Sequence, residues 1–159
     1  MKNIILTLAL LFITNLIISQ NKTYKGAWFD IKYPASFTAK GSLKSTTSEG
    51  YESAIFTSPD HSVEFYVFSP QWGGDPKDIS VKKTEKVSDN KTQTSRSKIL
   101  KWWTILAKDG SYTRSYQETT DNSSYTNLVF GVKYKSLLAY NKYKSQYLAF
   151  KSSLTQYAD

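Results

Sequence analysis

Through the middle of the chain apolar and polar positions alternate with a period of two; only near the end does the spacing lengthen to three and four. In GAWFDIKYP (Gly26 to Pro34), Trp28, Asp30 and Lys32 alternate with Phe29, Ile31 and Tyr33, the pattern of a half-buried strand. Pro34 has no amide hydrogen for a sheet ladder and ends it, and Phe37 packs as an anchor after the turn. Gly41 to Gly50 is polar and reads as a loop. YESAIFTSP (Tyr51 to Pro59) and SVEFYVFSP (Ser62 to Pro70) predict a hairpin that turns at SPDH. In its second arm Val63, Phe65 and Val67 share a face while Tyr66 and Phe68 make the other face aromatic, as expected of a central strand covered on both sides.

SPQWGGDPKD (Ser69 to Asp78) then interrupts the alternation, because Gly73, Gly74 and Pro76 oppose regular structure. Residues 79–98 are polar, with Val81 and Val87 the only apolar residues after Ile79. They fit a short helix, an exposed hairpin turning at Asp89-Asn90, or a mobile stretch. Ile99 to Lys108 and Ser111 to Thr119 flank Asp109-Gly110, which predicts a hairpin with a type I′ turn and positive φ at both turn residues. DNSS leads into Tyr125 to Tyr134, the sixth strand, completing a meander of three. From Ser136 onward Tyr140, Tyr143, Tyr147, Phe150 and Leu154 fall on one helical stripe, with Ser136 as N-cap. The expected fold is α+β: a mainly antiparallel sheet of about six strands with a C-terminal amphipathic helix packed on one face.

The first 19 residues read differently. Lys2 precedes an apolar run from Ile4 to Ile18, and Ser19 is small, which is the pattern of a signal peptide. Ile17 is larger than the preferred residue at its position. A membrane anchor is the alternative, although the run falls short of the roughly 20 apolar residues of a span. The expected organisation is a signal peptide over 1–19, a short tail over 20–25 and one globular domain over 26–157, exported to the periplasm or beyond the cell. Lys, Asn, Ile and Ser usage points to a bacterium, and no membrane span is expected after the leader. The Asn-x-Ser/Thr triplets at Asn21, Asn90 and Asn122 are attributed to chance.

The formal charge of +8 comes almost wholly from lysine, since the only arginines are Arg96 and Arg114. Scattered lysine confers solubility more than it builds phosphate sites, so no nucleic acid is expected as partner. Weak association with anionic surfaces is compatible with this charge. There is no cysteine, hence no disulfide and no thiol nucleophile. The one histidine, His61, sits in the SPDHS turn with only Asp60 beside it. No metal site, cofactor or catalytic residue is assigned.

The aromatic residues carry more. Trp102 and Trp103 are adjacent on a predicted strand and therefore face opposite ways. One fills a core; the other lies under the helix or joins Tyr112, Tyr116 or Tyr125 in a stacking platform for a sugar or protein. Trp72 in the glycine-rich loop either staples that loop or stands at the rim of a pocket beside Asp75. Trp72, Asp75, Trp102, Trp103 and Tyr112 are thus the candidate binding residues.

FDIKYP followed by Phe37, the AIFTSPDHSVEFYVF hairpin, the Asp-Gly hairpin and the closing FKSSL segment together resemble the PsbP-like proteins. The chain departs from that pattern at Phe37, where tryptophan is commoner, and in the polar stretch after Pro76, where a helix is usual. The resemblance implies a sandwich of an antiparallel sheet with helices on its faces, and a non-catalytic accessory or binding role. It carries over no functional residue. The expected function is a binding or assembly-accessory module of a bacterial envelope, its partner an envelope protein or a glycan. The alternatives are a hydrolase acting on an envelope polymer and lysine-rich adhesion to anionic surfaces.

Overall fold

A computed structural model describes residues 20–124 and 126–157. The expected signal peptide at 1–19, and Tyr125 of the expected sixth strand, lie outside the described residues. In chain order the strands are β1 (Asn21–Lys25), β2 (Phe29–Pro34), β3 (Thr38–Gly41), β4 (Ser53–Thr57) and β5 (Val63–Phe68). A 3₁₀ turn (Lys77–Ile79) precedes β6 (Glu85–Thr94), β7 (Lys98–Ala107), β8 (Thr113–Asp121) and β9 (Thr126–Tyr134). The helix α1 (Leu137–Ser152) and a short β10 (Thr155–Gln156) follow. The strands form two antiparallel sheets, a small one ordered β1-β2-β10 and a seven-stranded one ordered β3-β4-β5-β9-β8-β7-β6. The architecture is the expected α+β one, with ten described strands in two sheets.

Helix α1 bridges the sheets. Ser136 Oγ accepts from the Ala139 amide at 3.1 Å, so the expected N-cap is in place. Tyr143, Tyr147 and Phe150 are buried against Phe29 and Ile31 of β2, Phe65 and Val67 of β5, and Phe130 and Val132 of β9. The rings meet at angles, Phe150 lying 5.0 Å from Phe56 and 5.3 Å from Phe65. Leu154 packs on this core from beyond the helix end, while Leu137, Leu138 and Leu148 are off the stripe and exposed. Among the described residues no helix is long and apolar enough to cross a membrane.

Four expectations change. Residues 21–25 are not a tail but β1, paired along its whole length with β2. GAWFDIKYP joins the small sheet, because Phe29 and Ile31 bury against the helix. The polar stretch holds a ten-residue edge strand, β6, and Asp89-Asn90 lies inside it; the turn to β7 falls at 95–97. At Asp109-Gly110 only Gly110 has positive φ (74°). There the Gly110 amide closes on the Ala107 carbonyl at 3.0 Å, and Asp109 Oδ1 accepts from the Ser111 amide. A four-residue loop needs only one left-handed residue, so Asp109 is spared.

A candidate binding face capped by a pinned loop

The face of the large sheet away from α1 is built around an aromatic row. Tyr66 of β5 lies opposite Gly131 of β9, which lies opposite Tyr116 of β8, which lies opposite Trp103 of β7. A Cβ at Gly131 would stand 2.4 Å from the Tyr116 ring, so the glycine is what lets that ring lie across β9. Tyr66 meets Tyr116 edge to face at 5.8 Å, and Trp103 stacks on Tyr116 at 5.2 Å.

Residues 69–84 cross this face and are tied down along their length. Asn127 Nδ2 donates to the Gly74 carbonyl at 2.8 Å. Asp78 accepts from Ser53 Oγ at 2.6 Å and from the Tyr66 hydroxyl at 2.8 Å. Ile79 is buried in the aromatic cluster. Arg114 of β8 donates to the Ile79 carbonyl at 2.8 Å and to the Ser80 carbonyl at 3.0 Å. Its Nε and Nη2 also hold both oxygens of Glu85, at 2.9 and 2.5 Å. The Tyr112 hydroxyl donates to the same carboxylate at 2.6 Å and the Lys82 amide at 2.7 Å.

This ion pair is almost wholly buried, with side-chain exposures of 6% for Arg114 and 0% for Glu85. Burial pushes the Glu85 carboxyl up, but the hydrogen bonds from Arg114, Tyr112 and Lys82 outweigh it and bring it down to about 2. Tyr112 is pushed up to about 12, chiefly because its proton is held by Glu85. Burial raises Tyr66 and Tyr116 as well. A cavity of about 100 Å³ remains beneath the loop, lined by these groups together with Glu64 and Lys133. Its acids are engaged: Glu85 by Arg114, Asp78 by Ser53 and Tyr66, Glu64 by Lys133 at 3.2 Å.

Outside the loop a shallow groove of about 290 Å³ opens between Asp75, Pro76, Ser80 and Val81 on one wall and Lys101, Trp103 and Glu118 of the sheet on the other. Trp103 is half-buried there, Asp75 and Val81 are exposed, and Lys101 pairs with Glu118 at 3.3 Å. The structure thus brings two of the five candidate residues, Asp75 and Trp103, into one groove. Trp72 lies on the same loop and is 50% exposed. Tyr112 belongs to the polar cluster, not to the groove. Trp102 points to the helix side, half-buried, with the Lys91 ammonium 5.9 Å from its ring centre. His61 is exposed in the β4–β5 turn at φ 53°, and its neighbour Asp60 fastens that turn to α1 through Lys142 and Tyr143. Sequence reasoning passed over Arg114, Glu85, Asp78 and Gly131. An arginine between Tyr112 and Tyr116 on one face of a predicted strand was the available signal, since an arginine buried there demands a carboxylate.

Among the described residues the sheet carries one α-helix, on one face, and a pinned loop in place of a second helix on the other; the fold is the α+β one of PsbP-like neighbours. The structure is similar to the solution structure of cyanobacterial PsbP (CyanoP) from Synechocystis sp. PCC 6803, with a TM-score of 0.51 and 9% identity over 90% of this chain and 96% of that one. It is also similar to the Saccharomyces cerevisiae Ran-binding protein Mog1p, with a TM-score of 0.45 and 9% identity over 88% of this chain and 97% of that one. At this identity the likeness to the cyanobacterial protein is one of fold. No family model matches the chain, and no curated protein matches its sequence.

Proposed function

We propose that this protein is an exported, non-enzymatic binding or assembly-accessory module of a bacterial envelope, and that it meets an envelope protein or glycan through the loop-capped face. One observation carries the reading. A half-buried tryptophan, Trp103, floors a groove whose opposite wall, with Asp75, is a loop held rigidly by a buried ion pair. Such a wall needs little ordering on binding, which favours recognition. An exposed Trp72 on the same loop adds a large amphipathic contact. The hydrolase alternative requires an acid free to act, whereas the acids beneath the loop are engaged by protein partners.

The test is capture from envelope extract by the wild-type protein, Trp72→Ala and Asp75→Asn. Loss of the same captured species in both variants supports the reading. Equal capture by all three removes the loop from it. Export is checked separately: the reading expects the protein outside the cytoplasm with Gln20 as its first residue, by N-terminal sequencing.

A further inference from the structure

We propose that the free edge of β6 accepts an acidic polypeptide segment as an added strand. Among the described residues β6 closes the seven-stranded sheet and pairs only with β7. Every residue of it except Glu85 is exposed. The register shifts between Val87 and Asp89, and Asp89 to Thr94 then runs regularly against Ile99 to Thr104. Those six residues extend about 20 Å and offer an array of backbone donors and acceptors to a partner.

The charge around this edge selects the partner. Residues 82–108 contain eight lysines and arginines against two acids, and so hold most of the chain's net +8. One of the two acids, Glu85, is buried in its pair with Arg114. Lys98 and Lys101 turn inward to Asp121 and Glu118 of β8. Lys86 and Lys91 remain exposed on β6 itself, and Arg96 at the turn beyond it. A second copy would bring the same excess of positive charge to the edge, which disfavours self-pairing. A membrane would meet the charge but leave the backbone edge unanswered, and Val87 is the only apolar side chain that β6 offers it. An extended acidic segment satisfies both features at once. This edge lies across β7 from the loop groove and does not rest on the function proposed for it.

The test uses the whole protein and two probes, acetyl-(Glu-Val)₄-amide and acetyl-(Lys-Val)₄-amide, with a Lys86→Glu/Lys91→Glu double variant. Both positions are exposed, so the variant is expected to fold, which near-ultraviolet circular dichroism checks. The expected result is binding of the acidic peptide alone, weakened roughly tenfold in the double variant and further by salt. Amide exchange supplies the readout that charge alone would not move: the fast-exchanging amides of residues 89–94 become protected when the peptide binds. Absence of binding, undiminished binding to the double variant, or binding without that protection overturns the proposal. So does lysine-dependent attachment to phosphatidylglycerol vesicles in a protein that ignores the peptide.

Discussion

Arg114 sits where a strand residue is buried on principle, and its charge makes that position costly unless a carboxylate meets it. Glu85 does so with both oxygens, and Tyr112 and the Lys82 amide complete its hydrogen bonding. Glu85→Gln leaves the guanidinium buried without its counter-charge. The variant is expected to lose about 3–5 kcal/mol of stability at pH 7, read by urea denaturation. Acid tests the same pair. The folded Glu85 carboxyl lies at about 2, below its ordinary 4.5. The folded state therefore favours the ionised form, and the stabilisation is complete above pH 4.5 and fades as the pH falls through 2. Wild type should lose stability across that window more steeply than Glu85→Gln. Parallel pH profiles for the two proteins would show that the pair does not hold the fold.

At the scale of elements, packing outweighs local signals. The Ser136 cap satisfies one helix-end amide, whereas Phe150 meets Phe56, Phe65, Phe130 and Tyr147. Ser136→Ala should therefore cost about 1 kcal/mol and Phe150→Ala about 3–5 kcal/mol, by thermal or urea unfolding. A larger cost at the cap would mean that the helix is held by its end and not by its face. The same physics decided what could be read from the sequence. β4, β5, β7, β8, β9 and the helix stripe were legible because each buries at least one face, and burial writes a period into the residues. β6 wrote none, since both its faces meet water. β1, β3 and β10 are short pieces recruited by a neighbouring strand, and their pairing is decided by that neighbour's position. The candidate site was half legible for a related reason. Alternation alone put Trp102 and Trp103 on opposite faces, and loop chemistry singled out Trp72 and Asp75. The Arg114–Glu85 pair spans 29 residues and ends in the stretch that carried no pattern.

For the whole molecule these differences become a gradient of stability. β5 and β9 lie at the middle of the large sheet, with strands on both sides, the helix core on one face and the aromatic cluster on the other. β8 and β7 lie progressively outward, and among the described residues β6 ends the sheet with one neighbour and almost no buried side chain. Local opening needs the least free energy where the fewest buried contacts must break. Amide exchange should therefore be slowest in β5 and β9 and fastest in β6, with the Asp89 to Thr94 stretch opening well before global unfolding. The pinned loop makes a second, sharper demand. Residues 74–80 lie outside the strands, yet Arg114, Asn127 and Asp78 tie them to the slow core. Their protected amides should open with β8 and β9 and not with β6, and in Glu85→Gln they should fall toward the rate of β6 while β5 and β9 hold theirs. Uniform protection across the sheet, or a loop that exchanges freely in wild type, would contradict a rigid recognition face beside a compliant edge. That contrast would let one face present a fixed surface to the proposed partner while the neighbouring edge strand stays open to an added one.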